Sequence, residues 1–182
     1  MQDSELIRSV LQGRVTLFTQ LVKKYEIPVF RIIMGLLHNK EDAEEVTQDV
    51  FVKVYQSLDR FAGRSSFSTW LYRIAIHTGI NFLRKRNRRS IWERAADLVG
   101  FASSEKTAEQ LLSEKSDAEY IRQALDSLPE KQRLAFILTR YEELPQKEVA
   151  DVLAITEGAV EQLLIRAKNN LRKKLENKTA AP

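Results

Sequence analysis

Near the middle of the chain, Arg84, Lys85, Arg86, Arg88 and Arg89 place five cations within six positions. Charge of one sign at that density repels itself unless an anion neutralises it, so the run points to a polyanion. Nucleic acid is the class that fits best. The run closes an aromatic segment, Phe67-Ser-Thr-Trp-Leu-Tyr-Arg-Ile-Ala-Ile-His-Thr-Gly-Ile-Asn-Phe-Leu. Rings beside a cationic groove can stack unpaired bases, each worth ~1–3 kcal/mol. Trp70, next to Leu71, reads more as core than as a stacking platform. The loop Arg60-Phe-Ala-Gly-Arg-Ser-Ser-Phe-Ser brings hydroxyls, backbone N–H groups and two cations together. That combination suits a pocket for a flipped base.

A second kind of chemistry lies just upstream. Glu41-Asp-Ala-Glu-Glu-Val-Thr-Gln-Asp-Val-Phe-Val-Lys-Val-Tyr carries six acids or amides around an apolar seam. Glu45, Gln48, Asp49 and Tyr55 fall near one helical face. Acids near a helix start are favoured by its dipole, and a solvated face is the plainer reading. The alternative is a protein-docking surface, separate from the basic DNA face.

The third feature begins at Pro145. A short helix carries small Ala150, where another helix can cross closely. Leu153 and Ile155 bracket a tight turn, and Thr156 can cap the next helix. Val160 and Leu164 would pack back on the first. This is the pattern of a helix-turn-helix, whose second helix enters the DNA major groove. Arg166, Lys168, Arg172, Lys173 and Lys174 make that helix basic towards its end. Glu161 can accept from cytosine N4 and Leu163 can touch a thymine methyl.

Catalytic constellations are absent from the sequence. It has no Cys and only His38 and His77, which excludes thiolate chemistry, Cys-ligated zinc and a multi-histidine metal site. There is no Ser/His/Asp set and no P-loop. No enzyme activity, metal or cofactor is expected. The polar, acidic start argues against a signal peptide, and no apolar run approaches the ~20 residues of a membrane span. A soluble, cytoplasmic protein is expected.

Helices must position these groups. The 182 residues hold only six Gly and four Pro, which disfavours a sandwich or barrel. Val46, Val50, Val54 and Leu58 step by four. Trp70, Leu71, Ile74 and Ala75 form another apolar face, and Ala150, Val152, Leu153, Val160, Leu164, Ala167, Leu171 and Leu175 a third. The fold class is all-α. Asp3 or Ser4 can cap a first helix to about Gln12. A second follows Gly13 to about Tyr25, and a third follows Pro28 to about Leu37. His38-Asn39-Lys40 is a polar break before a helix from about Glu41 to Leu58. Another restarts near Ser66 or Phe67 and continues to about Arg88. Gly79 within it costs roughly 1 kcal/mol relative to Ala, for no reason visible in the sequence. Pro129 and Pro145 suit the first turns of new helices. Ala154 stands at the helix-turn-helix turn, where a left-handed residue would cost roughly 1–2 kcal/mol. The expected organisation is two small helical domains, 1–92 and 117–178, joined by a flexible linker over 93–116 and followed by a disordered tail at 179–182.

As a set, these motifs resemble a sigma factor of bacterial RNA polymerase, of the extracytoplasmic-function (ECF) type. The resemblance spans almost the whole chain. Asp42-Ala-Glu-Glu-Val-Thr-Gln-Asp-Val-Phe resembles region 2.2, which binds the polymerase clamp helices. Phe67-Ser-Thr-Trp-Leu-Tyr-Arg-Ile-Ala resembles region 2.3, where promoter opening occurs, and the basic helix end resembles region 2.4. Leu128-Pro-Glu-Lys-Gln-Arg-Leu-Ala-Phe and the helix-turn-helix resemble region 4. No counterpart of region 1.1 or a region 3 domain is visible.

The resemblance implies partners and roles. Core RNA polymerase would be met by Glu45, Gln48, Asp49, Phe51 and Tyr55. Minus-ten promoter DNA would be held by Arg60, Arg64, Ser65, Ser66, Phe67 and Ser68 of the loop, and by Asn81, Arg84, Lys85 and Arg88 of the helix. The minus-thirty-five duplex would be read by Thr156, Ala159, Glu161, Gln162, Ile165, Arg166 and Lys168. His77 stands where the family usually has Asn, and Glu161 and Leu163 replace positions that are often basic. An anti-sigma factor that sandwiches between the domains is a further implied partner. The rival reading is a helix-turn-helix regulator that does not depend on polymerase docking. It would account for the chain from Leu128 onwards and leave the first ~90 residues without a role.

Overall fold

The computed structural model describes residues 2–99 and 117–179. Among them the regular structure is helical, with no strand. Helices α1 (Asp3–Leu11), α2 (Phe18–Leu37), α3 (Lys40–Gln56) and α4 (Phe67–Val99) form the amino-terminal part. Helices α5 (Asp117–Asp126), α6 (Glu130–Arg140), α7 (Gln146–Leu153) and α8 (Glu157–Thr179) form the carboxy-terminal part. No helix of the described residues is long and apolar enough to cross a membrane. Helix α4 runs on to Val99, into the stretch expected to be linker, and residues 100–116 of that stretch lie outside the described residues. The tail is helical to Thr179, and its last three positions are likewise outside them.

The apolar stripes read from the sequence meet in a bundle of α2, α3 and α4. Val46, Val50, Val54 and Leu58 are all buried, as are Leu71 and Ala75. Trp70 and Ile74 are partly buried against the same core. Gly79 now has a reason. A Cβ there would lie 3.0 Å from Leu36 Cδ1 and 3.1 Å from Ile33 Cδ1, so its absence lets α4 cross α2 closely.

Two further boundaries differ from the expectation. The two helices expected on either side of Pro28 are one, with the proline inside α2. An interior proline costs ~3 kcal/mol. Leu21, Tyr25, Val29, Ile32, Ile33 and Leu36 are buried along the same helix, and burying each such side chain is worth ~1.5–3 kcal/mol, so packing outweighs the lost hydrogen bond. At the amino terminus the cap position is Gln2, whose N–H donates to the Glu5 carboxylate at 3.0 Å. Asp3, expected as a cap, instead accepts from the Tyr25 hydroxyl at 2.6 Å and from Lys24 at 2.7 Å, pinning α1 to α2. Burial, then the Asp3 carboxylate, pushes the Tyr25 phenol far above its usual range.

The polar break is built as a pair of caps. His38 takes a left-handed conformation (φ 51°) and ends α2, its N–H donating to Met34 O at 2.9 Å. Asn39 then starts α3, its side chain accepting from the Asp42 N–H at 2.8 Å.

In the carboxy-terminal part, α7 and α8 make the expected helix-turn-helix. Val149, Ala150, Val152 and Val160 are buried between them and their neighbours. Thr156 caps α8 by accepting from Ala159 N–H at 3.2 Å. Pro129 and Pro145 sit at the cap positions just before α6 and α7. Ala154 is left-handed (φ 53°), and Ile155 N–H returns to Ala150 O at 3.0 Å. Exchanging Ala154 for glycine removes the Cβ penalty of this conformation. After glycine's greater unfolded-state entropy is subtracted, a gain of about 1 kcal/mol is expected. A raised urea midpoint with unchanged slope would report it.

The two parts do not stand apart. One apolar cluster runs continuously from α1–α4 into α6, α7 and the start of α8. A smaller cluster of Leu125, Leu128 and Ala167 holds the far end of α5 against α8.

Candidate nucleic-acid interface

Helix α3 turns Ala43, Val46, Val50 and Val54 inward, which leaves Glu45, Gln48, Asp49 and Tyr55 exposed. That face has two flanks. Glu45 and Asp49 line a groove towards α4, whereas Gln48 lines one towards α2 with Glu26, Ile27 and Phe30. Tyr55 packs edge-on against Phe18, ring centroids 5.2 Å apart. Phe51, expected on this surface, is buried at 7% exposure. Its position turns it to the core, so its role is packing. Two apolar residues were missed from sequence: Val52 and Ile27 are 54% and 64% exposed beside Gln48. Val52 is off the phase of the buried valines, and that was the available signal.

The basic end of α4 presents Asn81, Arg84, Lys85, Arg86, Arg88 and Arg89 to solvent. It is not separate from the acidic face, as expected from sequence. Asp42, Glu45 and Asp49 of α3 share a groove of about 540 Å³ with Asn81, Lys85, Arg86 and Arg89 of α4. Arg86 is paired there with Asp42 at 2.9 Å. The helices pack side by side, so the acids offset part of the repulsion within the basic run. Arg84 faces another way and approaches Glu130 of α6 at 3.5 Å.

In the loop before α4, Arg60, Arg64 and Ser66 are exposed and Ser65 and Ser68 half-buried. Ser66 is committed to starting the helix, since its hydroxyl accepts from Thr69 N–H at 3.1 Å. Phe67, expected to touch DNA, is 4% exposed and belongs to the core. Its ring lies 5.4 Å from Tyr25, 5.7 Å from Phe61 and 5.9 Å from Trp70. The aromatics thus anchor the loop from beneath and leave its polar groups outward. Phe67→Ala is accordingly expected to cost about 3–5 kcal/mol of stability in urea denaturation, as for other buried aromatics. Arg64→Ala should leave stability within about 0.5 kcal/mol.

On α8, Glu161, Gln162, Ile165, Arg166 and Lys168 are exposed and Ala159 half-buried, while Val160 and Ala167 face inward. The readers expected from sequence therefore share an accessible face. Thr156 is also exposed, with its hydroxyl engaged as the cap.

Between the two parts lie polar contacts that no sequence motif signalled. Arg31 donates to both oxygens of Glu142, at 2.8 and 3.3 Å. Burial raises the Glu142 carboxyl despite that partner. Burial also pushes the Tyr72 phenol up to about 12. Arg133 donates to Leu36 O and Gly35 O at the end of α2 and pairs with Asp126 at 2.7 Å. Asp126 also meets His38 at 3.3 Å, and burial lowers the His38 imidazole below its usual range. Arg73 of α4 donates to the carbonyls of Asp151 and Val152.

Comparison with known proteins agrees with this geometry. Residues 21–89 match the model of sigma-70 region 2, and residues 118–171 match that of sigma-70 region 4. The chain is 32% identical to the RNA polymerase sigma-H factor of Pseudomonas aeruginosa, over 96% of this chain and 94% of that one. It is 28% identical to the ECF RNA polymerase sigma-E factor of Escherichia coli, over 97% and 95% respectively. The solved structure of CnrH in complex with the cytosolic domain of CnrY shares its fold, with a TM-score of 0.71 at 23% identity over 96% of this chain and 97% of that one. So does that of RpoE in complex with the anti-sigma factor NepR from Bartonella quintana, with a TM-score of 0.63 at 24% identity over 87% and 96%. With both sigma regions matched in order and relatives alike over nearly its whole length, the chain belongs to the ECF sigma factors of RNA polymerase.

Proposed function

We propose a division of labour within this sigma factor. The exposed face of α3 (Glu45, Gln48, Asp49 and Tyr55) grips core polymerase, helped by apolar Val52 and Ile27. The loop residues Arg60, Arg64, Ser65 and Ser68, with Asn81, Arg84, Lys85 and Arg88, capture the minus-ten strand. On α8, Gln162 pairs with adenine and Arg166 with guanine or a phosphate of the minus-thirty-five element. Residues 1–92 and 117–178 are the two functional domains. The chain performs no catalysis; strand opening draws on captured bases, each offsetting a few kcal/mol of lost stacking. The protein acts in the cytoplasm. Its proposed regulator is an anti-sigma factor; the similarly folded RpoE is solved in complex with one, NepR, from Bartonella quintana.

The observation that most supports this reading is the outward α3 face bordering the basic end of α4. One module can then hold an enzyme on one side and separated strands on the other. Transcription from a random promoter library, with core polymerase and the purified protein, tests it. Promoter-specific starts that require both components are expected. A regulator that works without docking would bind duplex DNA and give no such starts.

A further inference from the structure

We propose that a proton on His38 drives the amino- and carboxy-terminal parts of the free protein apart, so that their packing weakens as pH falls. The switch sits at the closed end of α2. Gly35 lies just before that end, and a Cβ there would come within 3.1 Å of Ile137 Cγ2, so α6 crosses α2 closely at this point. The side chains of His38 and Arg133 are only 13% and 12% exposed. Asp126 of α5 serves both, 3.3 Å from His38 Nε2 and 2.7 Å from Arg133. His38 Nε2 is buried and makes no hydrogen bond. The carboxylate of Asp126 and the guanidinium of Arg133 already balance one another, so a charged imidazole would have no counter-ion of its own.

The surroundings leave little room for that second cation. Besides Asp126, the charged groups facing His38 are Arg133 of α6 and Arg122 of α5. Arg122 is paired with Glu119 at 2.6 Å. From α4, Arg86 acts on Arg133 and is itself held by Asp42. The carbonyl end of a helix favours a cation, but Arg133 already fills that role by donating to Leu36 O and Gly35 O. Burial is the main cause that lowers the imidazole; Asp126 opposes it, and Arg133 and Arg122 add to it. Separation of the two parts returns His38 to water and to the ordinary value of ~6.5. Docking is therefore fully present above that value and is lost as pH falls below it, with one proton taken up on opening. Glu142, paired with Arg31 across the same seam, has the opposite sign, because burial raises its carboxyl and acid favours its docked form. Its ordinary value of 4.5 places that effect below the window of His38.

The chain lacks cysteine, so one thiol placed in the seam reports its opening. Ile137→Cys puts it where α6 meets Gly35. Its labelling by 4,4′-dithiodipyridine is normalised at each pH to that of Lys23→Cys, an exposed site. Protection of the seam thiol should fall about five- to tenfold from about pH 7.5 to about pH 5.5, tenfold being the most that one proton with an ordinary value of ~6.5 allows. Val50→Cys, inside the amino-terminal bundle, should show no such fall; a matching one would mark global unfolding and overturn the proposal. His38→Asn keeps a residue that tolerates the left-handed cap and removes the titration, so seam protection should then stay within about twofold. A persistent fall in that background, or protection with His38 present that holds or rises in acid, would sink the idea. Proton NMR of the two imidazoles gives a second reading in the unsubstituted chain. His38 should titrate below its ordinary value there, and a midpoint at or above it would also overturn the proposal.

Discussion

Arg84→Ala with Arg88→Ala is expected to cut promoter opening by roughly thirtyfold at moderate salt while polymerase binding survives. Both side chains are exposed on α4. Arg84 has only a weak surface pair with Glu130, their side chains 65% and 55% exposed, so it is available once that contact is released. Two lost phosphate contacts at about 1 kcal/mol each give ~2 kcal/mol, hence the thirtyfold. The salt dependence should also flatten, by ~0.7 in logarithmic slope for each single-strand contact removed. Permanganate reactivity of the opened strand across a salt series measures both. Arg86→Ala should do less, because Arg86 is already neutralised by Asp42. Equal effects at all three positions would argue for diffuse attraction without specific contacts.

Gln48→Ala with Asp49→Ala should do the reverse. Affinity for core polymerase should fall by about 30- to 150-fold, or ~2–3 kcal/mol, the range for central interface side chains. Excess protein should restore transcription. Both side chains are exposed, so thermal stability should stay within about 0.5 kcal/mol of the parent. Phe51→Ala makes the contrasting control. Its ring is buried, and its loss should cost about 3–5 kcal/mol in folding while the docking face keeps its composition. Fluorescence anisotropy of labelled protein titrated with core enzyme separates the two. Unchanged affinity in the Gln48/Asp49 double would remove α3 from the docking surface.

Phe51 and Phe67 show where reading residue types in a line reaches its limit. Each sits inside a motif whose polar members are exposed, and each turns inward. On α3 the direction follows from a rotation of 100° per residue, so Phe51 could have been assigned to the buried side. For Phe67 no such rule was available. It stands at the first residue of α4, and Tyr25 and Phe61, brought in by other segments, enclose it together with Trp70. Pro28 is a similar case. Local preference ends a helix there, and packing along α2 overrides it.

The sequence alone determined that this protein is helical, where its helix-turn-helix and its break at His38-Asn39 fall, and which residue types are offered for nucleic acid and for a protein partner. Those properties depend on local spacing, charge density and capping, and each can be judged within a dozen residues. Tertiary structure decided the reason for Gly79, the shared groove between acids and cations, and the pairing of Arg31 with Glu142 across the two parts. Those depend on residues tens of positions apart in the chain, 44 for Asp42 and Arg86 and 111 for Arg31 and Glu142, coming into contact. Periodicity in one helix says which face is buried; it does not say which other helix buries it.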